Sequence, residues 1–242
     1  MTDFQNKLIS VANQNEATKN LISEQSAATL EKLTANMLEV NKSLNLTAIK
    51  DEDGVILKHL VDSSACVPYI KEGATLCDIG CGGGFPTLVI GVLRGDVSVL
   101  GVDSVTKKVN YVADSARLLG LSNVSVSNAR AEEMGQSDKH RQSFDVVTAR
   151  AVGRLNLICE LCLPLVKVGG CFLAMKSLST NEELDEAKKA IELLGGKLDT
   201  VKEYSLTNGV ETVERTIIII KKVKDTPRQY PRNNSQIAKK PL

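Results

Sequence analysis

A glycine-rich segment is the part of this sequence whose residue types and spacing point most directly to chemistry. Residues 77–86 read CDIGCGGGFP and place glycines at Gly80, Gly82 and Gly84. Glycines let the backbone turn tightly and approach a bound molecule, because no Cβ stands in the way. A dinucleotide fold would need its third glycine at position 85, where Phe85 stands instead. The segment therefore predicts a nucleotide-type site without a pyrophosphate cradle.

Acidic residues accompany this loop at two places. Asp78 lies two residues before Gly80, and Asp103 lies 23 positions after it, at the end of the next predicted strand. In nucleotide-binding α/β folds, a carboxylate at that strand end accepts hydrogen bonds from both ribose hydroxyls. Ribose recognition beside such a loop suits S-adenosylmethionine, which carries an adenine, a ribose and a zwitterionic methionine rather than phosphates.

Two further pairs of residues have chemical interpretations as well as structural ones. Ala131 and Glu132, after the third predicted strand, could hold the adenine edge with their backbone, but by themselves they are better explained as the solvated start of a helix. Cys159 and Cys162 have the spacing of a redox or zinc pair. They lie in a predicted apolar helix and the chain has only two histidines, so buried thiols are favoured and no metal site is predicted.

The elements that would position these residues follow from the hydrophobic pattern. From residue 75 onward, short apolar runs alternate with helical segments, which is typical of an open, doubly wound α/β sheet. We predict strands at 75–79, 98–103, 124–127, 144–148, 170–175 and 216–223, the last of which closes the sheet. We predict helices near 86–94, 105–119, 155–167 and 181–194, and helical stretches over 4–43 and 51–66. The chain therefore divides into an N-terminal helical extension (1–70), an α/β domain (71–224) and a basic C-terminal tail (225–242).

Composition limits the class of protein. The chain has 242 residues, of which 43% are apolar and 24% charged, so it can bury a real core. Its apolar runs are far shorter than the roughly 18 residues that cross a bilayer, and its first residues lack the pattern of a secretory signal. We expect a cytoplasmic protein whose six cysteines are free thiols.

The net charge of +1 hides an uneven distribution along the chain. Residues 221–242 carry a net charge of +6, which leaves −5 on residues 1–220. A basic tail on an acidic body is typical of an arm for a polyanion, but a disordered solubilising tail has the same composition. Aromatic residues are few, so any contact with nucleic acid is expected to be mainly ionic. We expect cofactor binding to be independent of this tail.

Taken together, these motifs resemble the RsmG (GidB) family of bacterial methyltransferases, which act on N7 of a guanine in 16S ribosomal RNA. The resemblance extends over nearly the whole chain. It includes the glycine loop with its Phe-Pro, Asp103, and the segments NLTAI (45–49), HLVDS (59–63), AEE (131–133), TARA (148–151), MK (175–176), ER (214–215), TPRQYPR (226–232) and KPL (240–242). Thr87, where the family usually has glycine, and Val40, in place of a tryptophan, depart from the pattern.

The resemblance implies a Rossmann-like class I methyltransferase sheet with helices on both faces, so that residues 71–224 form the methyltransferase domain. It implies S-adenosylmethionine as cofactor and 16S ribosomal RNA, or a precursor of the small ribosomal subunit, as partner, without a metal or a membrane. The cofactor contacts that it implies are Gly80, Phe85, Ala131, Glu132 and Arg150. The loop and strand pattern adds Asp78, Gly82, Gly84 and Asp103 to the predicted cofactor-binding residues.

Residues that position the substrate are predicted from their places at strand ends. Arg150 follows the fourth strand and could orient the end of the cofactor, a substrate phosphate or guanine O6, or form only a surface salt bridge. Lys176, after the fifth strand, is a weaker positioning candidate, with a snorkelling surface lysine as the alternative. His59 and Asp62 share one helix face and are expected to make a structural hydrogen bond between helix and loop.

The sequence also favours methylation of a ring nitrogen. It contains no Pro-Pro, which methylation of an exocyclic amine commonly uses, and no Pro-Cys, which carbon methylation often uses. Guanine N7 has an in-plane lone pair at neutral pH, so proximity and alignment suffice and no indispensable acid or base is expected. Two alternatives stay open: a class I methyltransferase with another RNA or a small-molecule substrate, and a non-catalytic RNA-binding protein of the same fold.

Overall fold

The computed structural model describes residues 1–178 and 181–242, and within these ranges seven strands form one sheet of order β3-β2-β1-β4-β5-β7-β6. The strands are β1 Thr75–Ile79, β2 Ser98–Asp103, β3 Val124–Asn128, β4 Phe144–Arg150, β5 Val166–Lys176, β6 Gly196–Thr207 and β7 Thr212–Lys222. Strands β1 to β5 are parallel, and β7 runs antiparallel to both of its neighbours. The strand order reverses beside β1, and ligands of such sheets bind at the carboxyl edge at this point.

Helices cover both faces of the sheet, as predicted. They are α1 Asp3–Gln14, α2 Glu24–Leu44, α3 Glu52–Val55, α4 Asp62–Ser64, α5 Thr87–Leu93, α6 Thr106–Leu118, α7 Ala131–Gln136, α8 Leu155–Cys162, α9 Asn181–Leu193 and α10 Asn234–Lys239. A π-helical turn, Ile56–Val61, joins α3 to α4. One apolar core lies beneath α7, α8 and α9, and a second lies between α1, α2, α5 and α6.

The N-terminal helices are held to the rest of the protein by polar contacts as well as by apolar packing. Asn15, just after α1, donates its side-chain amide to the carbonyl of Thr207 (2.9 Å) and accepts from the backbone amide of the same residue (2.8 Å). In α2, Asn36 donates to the hydroxyl of Ser115 in α6 (3.0 Å). Contacts to the edge strand β6 and to α6 therefore hold α1 and α2 against the rest of the protein.

The sequence-based prediction missed one strand and placed another wrongly. β6 was not predicted because its sequence, GKLDTVKEYSLT, mixes charged with apolar residues and leaves much of the strand exposed. Its strand structure comes from pairing with β7 along its whole length. β7 therefore lies between β5 and β6 rather than closing the sheet, and its buried run of four isoleucines, 217–220, suits that internal position.

The C-terminal tail, residues 225–242, packs against the body of the protein, so it is not the disordered appendage that the sequence left as an alternative, and an arm for a polyanion stays a prediction. Tyr230 and Ile237 are buried in the core beneath α7 and α8. The Arg141 guanidinium donates to the carbonyls of Thr226 (2.6 Å) and Tyr230 (2.7 Å). Local sequence patterns do not reveal this docking, because the residues that bind the tail lie tens of positions away along the chain.

Replacing Arg232 by Ala should lower the free energy of unfolding, because the fully buried Glu160 carboxylate loses two hydrogen bonds from the guanidinium (2.8 and 2.6 Å). Removing one partner of a buried ion pair typically costs about 3–5 kcal/mol, which urea unfolding would detect. Arg228→Ala is the control, since its ion pair with Asp138 lies on the surface and contributes little. Equal free energies of unfolding for Arg232→Ala and Arg228→Ala would contradict a stabilising ion pair between Arg232 and Glu160. Partial recovery of stability when Glu160→Gln is added to Arg232→Ala would show that the unpaired charge of Glu160 causes the loss.

Candidate active site

A cavity of about 490 Å³ opens at the carboxyl ends of β1, β2 and β4. Seven of the nine predicted cofactor-binding residues line it, namely Gly80, Gly82, Phe85, Asp103, Ala131, Glu132 and Arg150. Asp78 and Gly84 are not part of the lining. The fold thus brings residues from four loops to one place, and the two exceptions lie just behind the wall.

The glycine loop contains positions where a side chain has no room. Gly80 has a φ of +73°, and a Cβ built there would lie 2.7 Å from Cγ2 of Val152. Gly84 has a φ of +88°, and a Cβ there would lie 2.5 Å from Cδ1 of Leu88. Both positions therefore require glycine. Gly80 lets the loop pass Val152 at the cavity wall, whereas Gly84 turns the chain toward α5.

Asp103 ends β2 beside the glycine loop. Its Oδ2 accepts a hydrogen bond from the Gly82 amide (3.0 Å), and its Oδ1 accepts one from the Val105 amide (2.9 Å). A carboxylate accepts about four hydrogen bonds, so each oxygen keeps capacity for a ribose hydroxyl. The two backbone contacts fix the carboxylate at the cavity in a position that suits the predicted ribose role.

Asp78 lies beneath the cavity, where it ties three elements together. Its buried carboxylate accepts hydrogen bonds from the hydroxyls of Thr87 (2.6 Å) in α5 and Thr148 (2.8 Å) in β4. Burial raises the pKa of Asp78 to about 6, although both hydroxyls favour the charged form. Thr87, one of the two residues that depart from the family pattern, is therefore a partner of this carboxylate.

Arg150, the last residue of β4, joins the sheet to the N-terminal helical segment. Its Nη1 donates to the carbonyl of Lys58 and to Oδ2 of Asp62, each at 2.9 Å. The other carboxylate oxygen of Asp62 accepts from Nε of Arg215 in β7 (3.0 Å). All three charged side chains are largely buried. Arg150 is therefore not the surface salt-bridge residue that the sequence left as an alternative.

His59 stacks on Phe85 of the glycine loop, with ring centres 4.5 Å apart and planes within 9° of parallel. Its Nε2 lies 2.8 Å from the Thr47 hydroxyl, which confirms the predicted hydrogen bond between helix and loop. Burial, and next the charge of Arg150, lower the pKa of His59 to about 3. A neutral imidazole and a phenyl ring therefore form one side of the cavity.

A second cavity of about 440 Å³ adjoins the first. The two cavities share His59, Arg150, Ala151 and Val152 in their walls. Ala151 has a left-handed φ of +57°, which is rare for a residue with a Cβ. The short segment after β4 thus separates two spaces at the carboxyl edge of the sheet.

Basic side chains line this second cavity, namely Lys58, Arg150, Lys176 and Arg215. The Lys176 amine donates to the Gly153 carbonyl (3.0 Å) and pairs with Glu183. Its side chain is largely buried, so it is not a solvated surface lysine. The second cavity therefore presents basic side chains that other groups of the protein hold in place, in a space that solvent can reach.

Comparison with known proteins identifies the family. The sequence profile of GidB, described as rRNA small subunit methyltransferase G, matches residues 26–213. This chain belongs to that family. A relative from Lactobacillus acidophilus, named Ribosomal RNA small subunit methyltransferase G, is 44% identical over 210 residues, which cover 85% of this chain and 87% of the relative. One from a Geobacillus species, with the same name, is 41% identical over 223 residues, which cover 91% and 93%.

Solved structures confirm the class I methyltransferase sheet predicted for this GidB family member. NSun6 from Pyrococcus horikoshii, solved with SFG, superposes with a TM-score of 0.54 at 16% identity over 68% of this chain and 52% of that one. A putative methyltransferase from Bacillus halodurans gives a TM-score of 0.51 at 13% identity over 65% and 96%. At these identities the likeness shows the fold alone.

The cavities of this GidB family member also contain residues that the sequence analysis did not select. Val152 and Asn234 line the first cavity, and Arg215 lines the second. Val152 follows Arg150 by two residues, so its place after a strand end was a usable signal. Arg215 lies in the ER segment (214–215) of the family resemblance, which was a usable signal. Asn234 had none, because the tail was expected to have no fold of its own.

Cys81 lines the first cavity, and burial raises the pKa of its thiol, which favours the unreactive protonated form. Cys159 and Cys162 are buried in α8, and burial raises the pKa of both thiols. Across residues 1–178 and 181–242, no three His, Cys, Asp or Glu side chains are grouped to hold a metal ion. In the same part of the chain, no helix is long and apolar enough to span a membrane.

The contribution of His59 to the free energy of unfolding should fall as the pH drops below about 6.5, the ordinary pKa of His, because unfolded His59 gains a proton that the folded ring, with a pKa of about 3, resists. The raised pKa of Asp78 acts in the opposite sense below about pH 6, so the difference between variants isolates the contribution of His59. One such proton contributes at most about 1.4 kcal/mol per pH unit. Urea unfolding at stepped pH should therefore show a shallower decline for His59→Gln than for the wild type. His140→Gln, at the chain's other histidine, is the control and should keep most of the decline. If the free energy of unfolding depends on pH in the same way for His59→Gln and the wild type, the His59 ring is not held neutral by burial.

Proposed function

We propose that this protein holds S-adenosylmethionine in the 490 Å³ cavity and presents the adjoining 440 Å³ cavity to a guanine of 16S ribosomal RNA. As a member of the GidB family it is an S-adenosylmethionine-dependent rRNA methyltransferase that acts on guanine N7. The observation that carries the cofactor assignment is the Asp103 carboxylate, which two backbone amides hold beside the glycine loop.

The residues of the first cavity fit this cofactor. Its volume lies within the ~300–1,000 Å³ of typical small-molecule sites. Asp103 would accept the ribose hydroxyls, and the backbone at Ala131 and Glu132 would hold the adenine edge. Gly80, where a Cβ would clash with Val152, lets the backbone approach the methionine end.

The arrangement suits a reaction that needs alignment rather than proton removal. When bound, S-adenosylmethionine supplies a methyl group on a positively charged sulfur, which the in-plane lone pair of guanine N7 attacks without first losing a proton. The protein therefore has to orient the base and exclude water. His59 is buried and neutral, and the Cys159 and Cys162 thiols lie in the core, so we assign none of them a catalytic role.

Arg150 and Lys176 are the candidates for positioning the RNA. Both are held by other groups of the protein and both line the second cavity. With Lys58 and Arg215 they provide donors for phosphate oxygens and for guanine O6. We propose 16S ribosomal RNA, alone or in a precursor of the small subunit, as the partner, and the cytoplasm as the compartment.

Methylation of 16S ribosomal RNA in cells tests the reaction. Cells without this gene should lack N7-methylguanine at one position, and the wild-type gene should restore it. Chemical cleavage at N7-methylguanine followed by primer extension locates the position. An unchanged set of N7-methylguanines in 16S ribosomal RNA, or loss of the methyl group from a different RNA only, would contradict the proposed substrate.

Replacing Asp103 by Ala should weaken S-adenosylmethionine binding by about 1.5–3 kcal/mol, the range for hydrogen bonds to a charged group, which is roughly 10- to 150-fold in Kd. Asp103→Asn keeps an acceptor oxygen and should lose less. Asp114→Ala, an exposed carboxylate on α6, serves as the control. Calorimetry measures all three, and a Kd for Asp103→Ala equal to that of the wild type would remove Asp103 from the site.

A further inference from the structure

The C-terminal tail reaches the first cavity. Asn234, the first residue of α10, lines it together with Ala131 and Glu132 of α7 and Leu161 of α8. From the sequence, we expected a cofactor site that does not depend on the tail, because the predicted adenosine site is built from the loop after β1 and the end of β2. In the folded chain the tail contributes directly to the wall of this cavity.

Contacts on both sides of Asn234 hold it at that wall. Before it, the Pro231 carbonyl accepts a hydrogen bond from α7 (2.7 Å), and Arg232 binds Glu160 of α8 through its backbone amide (2.9 Å) and its guanidinium. After it, Ile237 is fully buried in the core beneath the same two helices. The main chain at Asn234 is therefore fixed against helices that line the cavity themselves.

This wall lies at the end of the cavity assigned to adenine. Asp103, assigned to the ribose, ends β2, whereas Ala131 and Glu132, assigned to the adenine edge, begin α7. The hydrogen bond to the Pro231 carbonyl comes from the last residue of this same short helix, Gln136. The tail and the adenine-edge residues thus belong to one packed unit.

We propose that Asn234 contacts the adenine of the cofactor and that Arg232, through Glu160, is the residue that positions it. The inference rests on the proposed function, which places S-adenosylmethionine in this cavity. An asparagine amide offers one acceptor oxygen and two donor hydrogens. Adenine offers a matching pair, the N6 amine as donor and a ring nitrogen as acceptor. The Asn234 side chain therefore recognises the same adenine edge that the backbone of Ala131 and Glu132 would hold.

Asn234→Ala should weaken binding of S-adenosylhomocysteine, the demethylated cofactor, by about 2- to 10-fold, the effect of a lost neutral hydrogen bond. Gln236→Ala is the matched control, because Gln236 is another exposed amide on α10 and is absent from the cavity lining. Calorimetry gives the dissociation constants, and melting of the ligand-free proteins should be the same for both variants. A Kd for Asn234→Ala equal to that of Gln236→Ala would overturn the proposal.

A double-mutant cycle tests the positioning role of Arg232. Arg232→Ala should weaken S-adenosylhomocysteine binding, and adding Asn234→Ala should then cause little further loss, because the amide is already displaced. If the two losses instead multiply, Arg232 does not act through Asn234. Should Arg232→Ala fail to fold, Arg232→Gln combined with Glu160→Gln takes its place, since this pair leaves no unpaired charge.

Hydrogen exchange provides a readout that needs no substitution. Adding S-adenosylhomocysteine to the full-length protein should slow exchange of the amides of α10 as well as those of the glycine loop at 80–85. Protection of the loop alone would overturn the role of Asn234 and leave the proposed function intact. Failure of the wild type to bind S-adenosylhomocysteine at all would instead remove the proposed function.

Discussion

The buried carboxylate of Asp62 holds two arginines that belong to different strands of the sheet. Arg150 ends β4 and Arg215 lies in β7, and each donates to one of the two carboxylate oxygens. Removing such charges from water is costly, and the cost is offset only when geometry is good and further hydrogen bonds satisfy the remaining donors. The bond from Arg150 to the Lys58 carbonyl contributes to that condition. The helical segment that carries Asp62 is thereby fixed over the carboxyl edge of the sheet.

This docking determines the walls of both cavities. It brings His59 against Phe85 of the glycine loop and places Lys58 beside Arg150 at the second cavity. The π-helical turn Ile56–Val61 carries both His59 and the Lys58 carbonyl, so the irregular part of the helix is the part that meets the site. The N-terminal helices therefore complete the site as well as cover the sheet.

Much of this arrangement follows from local sequence, and the remainder depends on contacts between distant residues. β1 and β2 have their predicted bounds because strands buried on both faces are nearly continuous apolar runs. Asp103 was predicted from its spacing along the sequence after the glycine loop and from its place at the end of a strand. Arg215 and Asn234 were not found, because their places depend on β7 lying inside the sheet and on the tail docking at Glu160. Asp78 is adjacent to the loop in sequence, yet its side chain is bound by two threonines beneath the cavity.

The wall that the two cavities share, His59 with residues 150–152, has a thermodynamic consequence. A ligand that shifts this wall from one side changes the affinity of the other side, and linkage requires the coupling to be reciprocal. If the methyl donor strengthens RNA binding by some factor, RNA strengthens retention of the donor by the same factor. The methyl donor and its demethylated form differ by one positive charge, which the proposed site would place next to this wall. With both ligands in the proposed cavities, exchange of one cofactor form for the other would change the affinity for RNA, and release of the demethylated cofactor would be linked to release of the methylated RNA.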